Sequence, residues 1–268
     1  MKSRAGSRFW LTITLLTIRQ ALATVAVAGD SPQPNPAVQP GKLGRDVNPF
    51  IGTGGVTYLC GNNFPGATVP FGMVRLSPDT VSQLGTRASN SSGYYYRDQR
   101  IIGFSHTRLA GTGATDGGNF LVIPSTAETA KSHRRGLNSA YSHQQENAFP
   151  GYYGVTLPSL GITAELTATR RVGVHRYTFS ERQVPHLLVH VTSALGKGHC
   201  NSGEVRVVPE AREIEGSART FGTFSNRYGG LKVYFVARFN RPFHSFATWT
   251  GETETRSEEH TSELQSPA

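Results

Sequence analysis

Ile162, Ala164, Leu166 and Ala168 alternate with Thr163, Glu165, Thr167 and Thr169. An apolar side chain at every second position marks a β-strand with one buried face, because successive side chains of an extended chain point to opposite sides. Leu231, Val233, Phe235, Ala237 and Phe239 repeat the pattern against Lys232, Tyr234 and Arg238. Shorter runs of the same kind occupy residues 120–123, 152–157, 175–179, 187–191 and 205–208. No stretch sustains a helical apolar stripe beyond two turns, and there is no internal repeat. Glycine and proline make up about one residue in six, above the roughly 12% of ordinary chains, so turns cut the sequence into short segments. Many short strands bounded by turns predict an all-β fold, an antiparallel β-sandwich. A length of 268 residues fits one large domain or two small ones and suffices for a proper core.

Both ends depart from this pattern. Lys2, Arg4 and Arg8 precede an apolar run from residue 9 to 18, and Ala21-Leu22-Ala23 follows as a small-x-small cleavage site. Basic, apolar and small segments in that order read as a secretory signal peptide over residues 1–23. The apolar run is half the length needed to span a bilayer, so no membrane span is expected. Residues 24–45, with prolines at 32, 34, 36 and 40, read as an extended linker. At the other end, residues 256–268 break from the β pattern and read as the in-frame translation of a sequencing-adapter oligonucleotide. They are set aside as an artefactual tail, which leaves 46–255 as the β-sandwich and implies a natural polypeptide that continues.

The net charge of +9 raises the question of an anionic partner. The bases are scattered, with only short pairs such as Arg134-Arg135 and Arg170-Arg171. Nucleic-acid binding needs a basic face interleaved with aromatics, so a solvated surface and no nucleic-acid partner are expected. Cys60 and Cys200 are far apart in sequence. Export permits a disulfide between them without demanding one.

Residues 46–118 are rich in Gly, Asn, Ser, Thr and Tyr and read as loops carried by the sheets, where function usually sits. Gly52-Thr53-Gly54-Gly55 lacks a following Gly-Lys-Ser/Thr and reads as tight turns, not a phosphate loop. His186 and His190 have the spacing of a helical zinc site, but on a strand four residues span roughly 13 Å, too far for one metal. No Gly-x-Ser-x-Gly elbow is present. Asp46, Asp79, Asp98 and Asp116 are assigned to loops, and no two are spaced as a catalytic pair. Most read as turn-stabilising aspartates. Asn90-Ser91-Ser92 fits a glycosylation acceptor, a pattern short enough to arise by chance. Residues 103–116 concentrate hydroxyls, an imidazole, a guanidinium and a carboxylate on glycine-rich backbone, just after Tyr94, Tyr95 and Tyr96. Such a mixture suits a sugar, with polar groups for its rim and aromatic faces for its C–H groups. A polar turn next to a capped strand is the competing reading.

Several blocks in this order resemble glycoside hydrolase family 92, the exo-acting α-mannosidases. They are Val47-Asn48-Pro49-Phe50-Ile51-Gly52-Thr53-Gly54-Gly55, Asn63-Phe64-Pro65-Gly66-Ala67-Thr68-Val69-Pro70-Phe71-Gly72-Met73-Val74, Leu76-Ser77-Pro78-Asp79-Thr80, residues 103–116, Ala148-Phe149-Pro150-Gly151-Tyr152-Tyr153 and residues 161–179. The resemblance runs from about Asp46 to Trp249. It implies an N-terminal β-sandwich packed on a C-terminal (α/α)6 domain, a calcium-dependent site between them, and removal of terminal α-linked mannose with inversion. General acid, general base and most calcium ligands belong to the helical domain, so no catalytic and no metal residue is expected in this chain, and the fragment alone is expected to be inactive. Inversion by two carboxylates needs them roughly 6.5–9.5 Å apart with a water between base and sugar, and calcium can hold vicinal hydroxyls and that water. Mannose-containing glycans and the missing C-terminal helical domain are the implied partners. The implied sugar contacts are Asn63, Phe64, Tyr94, His106, Thr107, Gly111, Thr112, Gly113, Ala114 and Asp116. Asp116 would accept from hydroxyls, and His106 would orient a sugar or the loop itself. Relatives often carry His at the position of Arg108, Ser at that of Ala110, and Cys or a bulky residue near Ala114, which leaves linkage preference open. The competing class is a free-standing, non-catalytic carbohydrate-binding β-sandwich.

Overall fold

The structure, a computed structural model, describes residues 9–14, 39–55, 61–81, 90–126, 139–180, 184–251 and 253–256. Among them it is all-β, with short 3-10 turns and no α-helix. The strands are β1 (Phe9–Thr14), β2 (Ala67–Thr68), β3 (Arg75–Val81), β4 (Arg100–Ser105), β5 (Leu121–Ser125) and β6 (Ser139–Ala140). After them come β7 (Glu146–Phe149), β8 (Tyr152–Leu157), β9 (Ile162–Ala168), β10 (Gly173–Phe179) and β11 (His186–His190). The last are β12 (His199–Val208), β13 (Glu213–Phe221), β14 (Leu231–Arg238), β15 (Ser245–Thr250) and β16 (Thr253–Arg256).

One layer is a nine-stranded antiparallel sheet in the order β16-β15-β1-β11-β5-β4-β3-β2, with β6 paired to β4. The other layer consists of two smaller sheets, β10-β9-β8-β7 and β12-β13-β14. Each smaller sheet makes its own core with the large one. Leu76, Ile101 and Phe104 of the large sheet pack with Tyr153, Val155, Leu157, Ala164 and Leu166 of the four-stranded sheet. Farther along, Val189 and Val191 pack with Phe120, Ile214 and Ala218 and with the half-buried Val233 and Phe235 of the three-stranded sheet. This is the expected sandwich. Burying a side chain of this size contributes about 1.5–3 kcal/mol.

The alternation in β14 is real: Val233, Phe235 and Ala237 face the core while Tyr234 and Val236 are exposed. Leu231, at the strand's first position after Gly229 and Gly230, is 51% exposed instead. The alternation in β9 has a different cause from the one predicted. Thr163 and Glu165, assigned to a solvent face, are buried. Thr163 pairs its hydroxyl with Thr156 at 3.2 Å. Glu165 accepts two bonds from Arg176 and one from Tyr152. The strand is central in its sheet, and its polar face is covered by groups that satisfy it.

The run read as a leader contributes β1, which lies between β11 and β15 in the large sheet. The rest of residues 1–23, the linker before residue 39, Cys60, and residues 257–268 lie outside the described residues. Arg256, first residue of the segment set aside as a tail, ends β16. His186 and His190 sit on strand β11, as the spacing argument requires.

Candidate functional site

Four loops meet at the β3–β4 end of the sandwich: residues 50–55, 61–66, 90–96 and 105–118. The last three meet at Arg108, buried to 4% exposure, and the first is tied to them through Asn63, Asn90 and Tyr96. Its Nε donates to the Arg75 carbonyl at 3.1 Å, Nη1 to the Ser92 carbonyl at 2.6 Å, and Nη2 to the Ser77 carbonyl at 2.9 Å and to Ser105 Oγ at 2.8 Å. Asp79, on β3, accepts from Nη2 at 3.0 Å. The Phe64 ring lies 5.3 Å below the guanidinium. A planar fork with five N–H groups suits a junction of converging carbonyls. Gly93 is required beside it: its φ is +91°, and a Cβ there would lie 2.9 Å from Asp79 Oδ1 and 3.0 Å from Arg108 Nη1.

The asparagines knit the other loops together. Asn90 is 3% exposed and donates through Nδ2 to the Asn63 and Thr53 carbonyls. Its Oδ1 accepts from Ser92. An inward, fully engaged carboxamide is not displayed for glycosylation, which corrects that reading of Asn90-Ser91-Ser92. Asn62 Oδ1 accepts from Ser91 N and Oγ, and the Asn62 carbonyl accepts from Gly111 N at 3.0 Å. That last bond joins loop 61–66 to the tip of loop 105–118. Gly52 and Gly55 occupy positive-φ turns and Thr53 is buried, so this glycine-rich stretch is turn structure.

His106 and His175 form a half-buried relay. His106 Nδ1 is 2.8 Å from the Phe120 carbonyl, the two Nε2 atoms are 2.8 Å apart, and His175 Nδ1 is 2.8 Å from the Tyr177 hydroxyl. A carbonyl only accepts, so His106 carries its proton on Nδ1 and accepts on Nε2. His175 therefore donates from Nε2 and accepts from Tyr177 on Nδ1. Every nitrogen is used and both rings are neutral. Burial, with the Arg108 charge adding to it, holds His106 down at about 4. Burial and His106 hold His175 well below the usual range.

The predicted contacts separate into three groups. Asn63, Gly111, Thr112 and Gly113 come together at the surface: Gly111 faces Asn63 Oδ1 and the Gly61 carbonyl, and Gly113 faces Asn62. The Asn63 carboxamide is half-buried and has no hydrogen-bond partner among the described residues. Phe64 is half-buried, packed on the core and against Arg108, and Ala114 is 8% exposed. Thr107, His106 and Asp116 tie the loop to its surroundings. Thr107 Oγ1 donates to Asn119 Oδ1 at 2.8 Å. Asp116 accepts from Phe224 N, Ser225 N and Ser225 Oγ, filling three of roughly four lone-pair sites. It fastens the loop to the turn before β14. Tyr94 is a correction: it is wholly buried and donates to Glu146 at 2.8 Å, so it offers no surface to a sugar. Burial followed by the Glu146 charge raises its pKa far above the ordinary tyrosine range.

The loop assignment of the aspartates is corrected at Asp79, which lies on β3 and pairs with Arg108. Asp98 is buried, accepts from Thr80 Oγ1 at 2.7 Å, and has its pKa raised by that burial. The roles of Arg108, Asn62, Asn90 and His175 were missed. The one available signal was the density of polar residues at 90–92 and 105–108. Among the described residues no three His, Cys, Asp or Glu side chains group as metal ligands, and the Asp116 carboxylate already faces N–H and O–H donors. A hard cation would have to take most of its oxygens from elsewhere.

The profile of the glycosyl hydrolase family 92 N-terminal domain matches residues 46–267. A solved family GH92 α-mannosidase from Bacteroides thetaiotaomicron is 35% identical with a TM-score of 0.64, over 76% of this chain and 27% of that one. A family GH92 inverting mannosidase from Bacteroides thetaiotaomicron VPI-5482 is 25% identical with a TM-score of 0.60, over 78% of this chain and 26% of that one. An uncharacterized secreted glycosidase of Arthroderma benhamiae is 28% identical over 57% of this chain and 20% of its own length. The chain thus spans about a quarter of the solved relatives.

Proposed function

The chain belongs to glycoside hydrolase family 92 through its N-terminal domain, and on that premise we propose that it forms one wall of the sugar pocket of an exported α-mannosidase that removes terminal α-linked mannose with inversion. The observation that carries this reading is the Asn63 carboxamide, unpartnered among the described residues and beside the exposed glycine backbone of 111–113. A carboxamide offers both donor and acceptor to a sugar's vicinal hydroxyls. Arg108, Asn90 and the histidine relay hold that edge in place, so little ordering remains to be done on binding.

The chain's own residues bind and orient. The acid, the base and any calcium ligands belong, on this reading, to polypeptide outside the described residues. Calcium, when bound, supplies a Lewis acid that holds sugar oxygens. Export is supported by the leader-like order of residues 1–23 and by the name of the fungal relative. Packing against another body is supported by Phe71, Met73, Val172 and Val174. All four are exposed, on hairpins joined by the bond from Met73 N to the Arg170 carbonyl.

The test is hydrolysis of an α-mannobiose. The 268-residue chain should release no mannose. A polypeptide extended through the rest of the enzyme should release it first as the β-anomer. Asn63→Ala in that enzyme should lower kcat/KM about 2–10-fold, the range for one neutral hydrogen bond. Turnover by the short chain would overturn the proposal. Binding of mannosides without hydrolysis by the extended polypeptide would favour a carbohydrate-binding module instead.

A further inference from the structure

β1 is an interior strand of the large sheet. It pairs antiparallel with β11 from Trp10 opposite His190 to Thr14 opposite His186, and with β15 from Phe9 opposite Thr250 to Thr14 opposite Ser245. The sheet order runs through it, and among the described residues β15 has no other strand neighbour except β16. Without β1 the layer would divide, leaving two facing edges of unpaired N–H and C=O groups. These edges are not surface strands: Leu187, Leu188 and Val189 on β11 and Ala247 and Trp249 on β15 are at most 8% exposed. Buried backbone groups require partners, and an open edge between buried strands recruits one.

The same six residues are the centre of a segment with the basic, apolar and small-residue order of an export leader. A leader that is cut off cannot be a permanent interior strand. A second observation lies next to the gap: the Trp249 indole N–H, buried on β15, has no hydrogen-bond partner among the described residues.

We propose that the gap between β11 and β15 is an acceptor groove for an inserted strand, filled in this chain by Phe9–Thr14 and in the mature polypeptide by a strand lying beyond β16. The inference rests on reading the chain as part of a longer exported enzyme. Matching relatives have most of their length outside the match, and β16 ends on the far side of β15, one crossover from the groove. The occupant runs antiparallel to both neighbours, six residues or so long. It supplies the acceptor that Trp249 lacks. Recognition is by main-chain hydrogen bonding, with alternate side chains entering the buried face.

The test compares the full chain with one starting at Thr24, using a synthetic peptide of residues 8–16 as the probe. The shortened chain should self-associate and lose amide protection at 186–190 and 245–250. One peptide per chain should restore both. A shortened chain that is monomeric, equally protected and indifferent to the peptide would overturn the groove. If it does not fold at all, the full chain still decides. Thr12→Pro, which removes a ladder N–H, should speed exchange at 186–190 and 245–250 about tenfold or more while leaving 162–168 and 173–179 slow. Thr17→Pro should change neither, and equal exchange in both variants would overturn the groove. The occupant is tested with mature polypeptide extended beyond β16: it should refuse the peptide and protect the Trp249 indole N–H. Uptake as avid as that of the shortened chain would overturn the assigned occupant. None of these readouts uses mannosidase activity, so loss of the enzymatic reading and loss of the groove are told apart.

Discussion

In the loop cluster Arg108 and Asp79 pair at 3.0 Å with side chains 0% and 5% exposed, whereas on the three-stranded sheet Arg206 and Glu215 pair at 2.6 Å with 71% and 34% exposed. The chemistry is the same and the consequences differ. The surface pair is screened by water and holds two flexible side chains, so it adds little. The buried guanidinium is the node through which β3, the 90–93 turn and the 105–108 segment fix one another. Removing one partner of a buried pair leaves the other charge uncompensated in a medium that cannot solvate it. A domain of this kind can therefore carry irregular, glycine-rich loops as a rigid edge, because a few buried polar centres fix their geometry alongside the apolar packing of Phe50, Phe64 and Tyr94.

The largest effect is expected at that node. Arg108→Ala should lose about 3–5 kcal/mol in urea unfolding, the range for a broken buried pair. A loss as small as that of a surface pair would break the contrast. Next comes Glu146, whose carboxylate accepts from Tyr94, Tyr153 and His143. Tyr153→Phe should cost about 1.5–3 kcal/mol, as for a hydrogen bond to a charged group.

The third effect is acid sensitivity. His106 is depressed to about 4 and His175 lies well below its usual value, while unfolded histidines titrate near 6.5. Between those limits the unfolded chain binds protons that the native chain does not, so stability is full above about pH 6.5 and falls as pH drops toward 4. Replacing both histidines by asparagine should flatten that part of a melting-temperature profile, whatever it does at pH 7. A profile unchanged by the double substitution would exclude the relay as its source. The smallest effect is expected at Arg206→Ala, where the melting temperature should not move measurably.

How much of this was legible in the sequence depended on the range of the interaction. Period-two alternation located β9 and β14, since alternation is a property of neighbouring residues. It could not show that Glu165 is covered, because Arg176 and Tyr152 reach it from neighbouring strands of the folded sheet. The 103–116 segment stood out by composition, which left a sugar-binding loop and a polar turn beside a capped strand both open, and its first three residues end β4. Its internal division did not: Thr112 and Gly113 face outward, while Asp116 turns inward to a partner more than a hundred residues away. Tyr94 was misread for the same reason, as an aromatic beside a polar loop that only the fold reveals to be under it. Phe9–Thr14 carries two signals at once, a leader's composition and a strand's pairing, and the second was invisible without β11 and β15.

The central claim is that the fixed edge formed by Asn63 and residues 111–113 faces a sugar. A 1H–15N NMR titration of the chain with methyl α-mannoside tests it most directly. The account predicts weak, saturable shifts confined to residues 61–64 and 111–114 and abolished by Asn63→Ala, with β12–β14 unmoved. Saturable shifts elsewhere, or none at the loop edge, would contradict it.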